Sequence, residues 1–394
     1  PDGQKIRYSE SYRFDQNPMM FVRLPMDGQY MVEVLDSIYR GRNDFVYRLS
    51  IGEFPVVYSQ YPLGGRVNET TPINIMGGNL PVRTITPNYK GDVFYDEIRE
   101  ITSVGGVPLI RPMHYMVETL PIYVAPLRSR GSSGYSSSAQ DAAADGEKPK
   151  VKEPTKVDFP IVVYDRIADR KDIGLYQFEG RAGQQVTLDV TAQPLGSALD
   201  PGLELLDPSG NVIASNDDRA DSKGPNIGEE VSHSDPILTH TLPRDGLYTA
   251  KVYPVSLRGG PEYYYRLRIS PPQPDFDICS LRSCLRFNGK STSFTVRVYP
   301  KEGFNGEITI RGVGSCAQMK LSRDGKIPAG QTEANFSLVS EEKLALNPME
   351  IELVAEAQIN GKTLRRKVLA TDDWEQAFIY HHLVPMKKLM ATQK

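Results

Sequence analysis

The chain has 394 residues, 46 Lys and Arg against 49 Asp and Glu, and a net charge of -3. That length suits two to four domains, and the near-neutral balance excludes the basic excess of a nucleic-acid binder or a polybasic membrane-surface protein. No apolar run approaches the roughly 20 residues that span a bilayer.

With 21 Tyr, one Trp, 30 Pro and 33 Gly, the composition favours pleated strands and turns over long amphipathic helices. The expected fold class is all-β: tandem β-sandwich domains, jelly-roll-like and immunoglobulin-like, joined by a flexible linker. The three cysteines, Cys279, Cys284 and Cys316, fit one disulfide from Cys279 or Cys284 to Cys316, or equally three buried thiols.

Residues 1–53 hold an internal repeat. Residues 24–51 lie on residues 242–269 without a gap, with 12 of 28 positions identical, among them Asp27, Gly28, Tyr30, Val34, Tyr47, Arg48, Leu49 and Ile51. They correspond to the second half of a sandwich. Because the chain begins at Pro1 rather than Met, the start is read as a truncation, with the complementary strands expected upstream.

Residues 54–128 carry short alternating strands between Gly and Asn turns, such as Ile73-Asn74-Ile75-Met76-Gly77-Gly78-Asn79, and predict a small immunoglobulin-like domain. Residues 129–156 are Ser, Gly, Ala, Asp, Lys and Pro with almost no bulky apolar side chain, the composition of a disordered tether.

Residues 157–270 form a complete module. Val186, Leu188 and Val190 alternate with polar residues, a period-2 strand. Asp207-Pro208-Ser209-Gly210 fits a type I turn, with Asp first, Pro presetting φ at the second position and Gly last. Tyr265, Leu267 and Ile269 share one strand face, opposite Tyr264.

Ala182-Gly183-Gln184, Leu199-Asp200-Pro201, Asn216-Asp217-Asp218, Asp245-Gly246-Leu247-Tyr248 and Tyr265-Arg266-Leu267 resemble the bacterial pre-peptidase C-terminal domain. The resemblance implies a β-sandwich, jelly-roll-like accessory module of exported proteins, sometimes calcium-binding, that performs no chemistry itself. Residues 1–53 would then be the second half of a further copy, and residues 54–128 resemble the immunoglobulin-like modules that follow this domain in exported bacterial proteins.

Pro271-Pro272-Gln273-Pro274 marks a stiff boundary. Residues 271–370 predict an immunoglobulin-like or fibronectin-like domain, with Asn360-Gly361 as a hairpin turn. For the tail, 371–394, a short helix packed on that domain is expected, or the start of a further region.

Two sites are candidates. Asp200, Asn216, Asp217, Asp218 and Asp235 are oxygen donors of the kind Ca2+ takes six to eight of, gathered by strand-end loops; the same residues equally suit Asx turns. Their spacing is not that of an EF-hand. Tyr253 and Tyr264 offer an aromatic platform for polysaccharide or an extracellular protein; the alternative is that they pack as ordinary strand residues or against a neighbouring domain.

The chain lacks His-Glu-x-x-His, Gly-x-Ser-x-Gly, Gly-x-Gly-x-x-Gly and Cys-x-x-Cys, so no catalytic residue is assigned. The expectation is an extracytoplasmic spacer, adhesion or substrate-presentation region. The alternatives are a calcium-stabilised binding module, the C-terminal appendage of a secreted protease, and an enzyme with an unrecognised site.

Overall fold

The computed structural model describes residues 3–13, 17–36, 46–127, 153–218, 235–376 and 380–394, with the side chains of 373–376, 380–382 and 385 left aside. The fold is all-β: among the described residues the regular elements are strands and three short 3-10 turns. The backbone forms two compact units. One comprises Pro1–Gln177, Val190–Gly202 and Thr249–Arg268; the other comprises Phe178–Asp189, Leu203–Tyr248 and Ile269–Lys394.

In the first unit, Val56–Tyr61, Ile73–Gly78 and Thr84–Ile85 form one three-stranded sheet, and Gly64–Arg66, Val107–Glu118 and Glu97–Val104 form another. Ile73 and Ile75 turn inward while Asn74 and Met76 face out, as a period-2 strand requires. They pack with Tyr89, Val104, Met113, Tyr115 and Val117. Gly64 is needed where its strand runs parallel to the long one, since a Cβ there would lie 2.0 Å from the Met116 carbonyl oxygen.

The segments flanking residues 128–152 are ordered strands. Ile122–Val124, expected within the 54–128 domain, pairs in parallel with Ile161–Arg166. Thr155–Lys156, expected in the tether, pairs in parallel with Gly174–Gly180. The remainder of the 129–156 tether, residues 129–152, falls outside the described residues.

Strands Gly246–Pro254 and Tyr264–Ser270 are interior strands of two five-stranded sheets. The first sheet runs Val212–Asn216, Pro201–Leu206, Gly246–Pro254, Gly174–Gly180, Thr155–Lys156; the second runs Ile237–Thr241, Gln185–Thr191, Tyr264–Ser270, Ile161–Arg166, Ile122–Val124. The described part of residues 1–53 forms no strand, although it repeats those two. The reason is partnership: Tyr248, Ala250, Val252, Tyr265, Leu267 and Ile269 are buried, whereas of their counterparts Tyr30 is half-buried and Val32, Val34, Tyr47, Leu49 and Ile51 are exposed.

In the second unit, Asp207-Pro208-Ser209-Gly210 makes the expected turn. Gly210 N–H donates to the Asp207 carbonyl at 2.8 Å, Ser209 N–H donates to Asp207 Oδ1 at 2.8 Å, and Gly210 adopts φ 84°. Arg244 Nη2 adds a bond to Asp207 Oδ2 at 2.9 Å.

Residues 275–393 of this unit form two further sheets around Phe276, Phe287, Val296, Phe336 and Leu353. The Asn360-Gly361 hairpin forms as expected: Ile359 pairs with Lys362, and both turn residues have positive φ, 50° and 77°. The helix expected in the tail is replaced by strands Leu369–Gln376, Tyr380–Met386 and Leu389–Gln393, which pair with Asp275–Ser280, with one another and with Met349–Ile359. Alternation in Leu389 and Ala391, both buried, suits a sheet and leaves no helical face. All three cysteines are free thiols; Cys316 is held by the Glu352 carbonyl at 2.8 Å.

Candidate functional site

The most concentrated charge chemistry lies inside the first unit, where the 54–128 region meets strand Tyr264–Ser270. Antiparallel pairing of Glu97 with Val117 leaves Asp96 and Glu118 side by side, one step beyond the last pair. Two adjacent carboxylates repel unless a cation joins them. Arg266 is that cation. Its Nε and Nη2 donate to the two Glu118 oxygens at 2.7 and 2.9 Å, and Nη2 also reaches Asp96 Oδ2.

The cluster is closed by hydroxyls. Tyr164 OH donates to Glu118 Oε1 at 2.6 Å, and Thr119 donates to Asp96 Oδ1 through its N–H at 2.9 Å and its Oγ1 at 2.8 Å. Arg266 is 2% exposed and Glu118 is fully buried. Such a guanidinium is stable in the interior only because its charge is paired bidentately.

Burial pushes the Glu118 carboxyl up from 4.5 to about 7, against the pull of Arg266, with Asp96 adding to the rise. Asp96 is held below the ordinary carboxylate value because Arg266 and the two Thr119 bonds outweigh its burial. Tyr164 is pushed well up by burial and by Glu118. Apolar packing surrounds the clasp: Leu63, Met116, Val162, Tyr164, Leu195 and Tyr264 form one buried cluster. Each large side chain fully buried in this way contributes about 1.5–3 kcal/mol.

Sequence reading missed the clasp. Its signal was an arginine between Tyr265 and Leu267, on the face it shares with Tyr264 and Arg268. With period 2, Tyr264, Arg266 and Arg268 share the face opposite Tyr265, Leu267 and Ile269, and both faces of this strand are buried.

Tyr264 therefore does not form an exposed platform. It is 3% exposed, and its hydroxyl donates to the Gly196 carbonyl at 3.1 Å. Packing against a neighbouring region, the alternative reading, describes it. Tyr253 is half-buried, with its ring over Gly202 and the Lys251 ammonium 5.2 Å from the ring centroid.

The acidic candidates are placed as follows. Asn216 uses both ends of its amide: Nδ2 donates to the Ile237 carbonyl at 2.7 Å, and Oδ1 accepts the Asp218 N–H at 3.2 Å, an Asx turn. Asp217 and Asp218 are exposed, Asp235 is buried, and the Asp200 carbonyl accepts the Val255 N–H at 2.9 Å. Among the described residues no three His, Cys, Asp or Glu side chains are arranged to hold a metal ion. No helix among them is long and apolar enough to cross a membrane.

The family model of the bacterial pre-peptidase C-terminal domain matches residues 172–254. Over 83 residues, 21% of this chain, the sequence is 34% identical to a probable subtilase-type serine protease of Deinococcus radiodurans, and the match spans 10% of that protein. Among solved structures, the pre-peptidase C-terminal domain of a collagenase from Bacillus anthracis is similar over 31% of this chain and 100% of that one, at 14% identity and a TM-score of 0.23.

Proposed function

We propose that this chain is a non-catalytic, extracytoplasmic β-sandwich region of an exported bacterial protein, and that it acts as a spacer and presentation region beside a catalytic or anchoring region. The observation that carries this reading is the Arg266 clasp. Its charged groups are spent on one another and shut from solvent, an arrangement suited to holding the 54–128 region against strand Tyr264–Ser270 rather than to turning over a substrate. Strand Ile122–Val124, paired with Ile161–Arg166, supports the same reading.

The similarity of residues 172–254 to a segment of a subtilase-type protease favours a protease as the neighbouring catalytic region. The test is deletion of residues 157–270 from the natural polypeptide. Turnover of a small soluble substrate should persist while action on, or retention at, an insoluble macromolecular substrate falls. Loss of turnover on the small substrate would assign chemistry to this region and overturn the reading.

A further inference from the structure

Tyr12, Arg13, Asn17 and Phe21 contact the 54–128 region, and Tyr12-Arg13 is the anchor. The Arg13 side chain is 11% exposed; Nη2 donates to Glu262 Oε2 at 2.9 Å and also reaches the Tyr58 carbonyl. Two guanidinium groups stand over the Tyr12 ring, Arg13 at 5.0 Å and Arg111 at 5.2 Å from its centroid. Arg111 also donates to the Asn17 carbonyl at 2.9 Å, and Phe21 packs edge-on against Tyr58 at 5.9 Å.

The walls of this groove are fixed from behind. Ser59 Oγ donates to the Pro261 carbonyl at 2.5 Å, and the Glu262 carbonyl accepts Ala198 N–H at 2.9 Å and Ser197 Oγ at 3.1 Å. At its floor Gly196, with φ 77°, lies beside Arg13: a Cβ there would stand in ordinary contact, 3.6 Å from Arg13 Nη1.

The occupant fits its polar surroundings incompletely. Among the described residues the Tyr12 hydroxyl and Arg13 Nε, both buried, find no hydrogen-bond partner, and Arg13 holds a left-handed φ of 59°, unusual for a residue with a Cβ. A carboxylate and a carbonyl aimed at one guanidinium, with an aromatic slot beside it, read arginine after an aromatic residue.

We propose that the groove bounded by Tyr58, Arg111, Gly196 and Glu262 is a recognition site for an arginine-bearing polypeptide segment, and that Tyr12-Arg13 is its internal plug. A segment from another protein that presents an aromatic residue before arginine in a relaxed backbone displaces the plug. This goes beyond the spacer reading and stands independently of it, because the Arg266 clasp shares none of these contacts.

The experiment uses the full chain and a fluorescein-labelled peptide of residues 8–13, followed by anisotropy. The plug competes at an effective concentration of order millimolar, so the parent chain should bind the peptide at least about tenfold more weakly than the Arg13→Ala chain. Binding to the Arg13→Ala chain should be lost on adding Glu262→Ala, or when the peptide carries alanine for its arginine. If Arg13→Ala lowers the melting temperature, Arg13→Lys, which keeps the charge and loses the fork, takes its place. No saturable binding to a variant that melts like the parent would overturn the proposal, as would binding that survives Glu262→Ala.

Discussion

Replacement of Glu118 by Gln tests the clasp through its proton. In the unfolded chain this carboxyl titrates near its ordinary 4.5; in the fold, burial moves it to about 7. The folded state therefore keeps a proton that the unfolded state releases between those two values, and stability falls as pH rises through that window. At about 1.4 kcal/mol for each pH unit of separation, the contribution reaches about 3 kcal/mol. Asp96 acts in the opposite sense and at lower pH: its depressed carboxyl adds stability that is lost as pH falls through and below the ordinary carboxylate range. Urea unfolding of parent and Glu118→Gln at half-unit steps from pH 4.5 to 8 separates the two. The parent should lose about 3 kcal/mol relative to the variant across the window, because Gln keeps the shape without the titration. Parallel pH profiles in the two proteins would refute the argument that Glu118 titrates within the clasp.

Other substitutions follow from the same geometry. Arg266→Met should cost about 3–5 kcal/mol in unfolding free energy, because Asp96 and Glu118 are left buried beside each other; the double change Arg266→Met plus Glu118→Leu should recover part of it, and a double variant weaker than the single would contradict this account. Gly361→Ala should destabilise the second unit by about 1 kcal/mol, since Gly361 holds φ 77°; an unchanged denaturation midpoint would speak against a strained turn. Melting in excess calcium and in chelator should coincide, with Asn216 and Asp218 acting as turn formers; an upward shift of several degrees that vanishes in Asp217→Ala plus Asp218→Ala would make the acidic residues a metal site.

Local signals in the sequence translated directly into local structure. Alternation at 186–190, the turn at 207–210 and the Asn360-Gly361 hairpin each depend on residues within a few positions, and each forms as read. The tail does not form the expected helix because Leu389 and Ala391 alternate as a strand, and the edges of Cys284–Phe287 and Met349–Ile359 pair with them. The first copy shows the reverse. Residues 24–51 match residues 242–269 in sequence, Arg48 standing where Arg266 stands, but the described part of residues 1–53 forms no strand.

By itself the sequence determined the all-β class, the likeness of residues 172–254 to the pre-peptidase C-terminal family, the turns, and the absence of a familiar catalytic motif. Each follows from side-chain period, from φ preference at Gly, Pro and Asn, or from residue identity. Only the tertiary structure decided that Tyr264 is interior, that Ile122–Val124 pairs with Ile161–Arg166, and that Arg266 meets Glu118. Arg266 and Glu118 are 148 positions apart, and nothing local to either residue specifies the other. Their pairing arises because two sheets place an arginine and two crowded carboxylates in the same dry space, where an unpaired charge is too costly to persist.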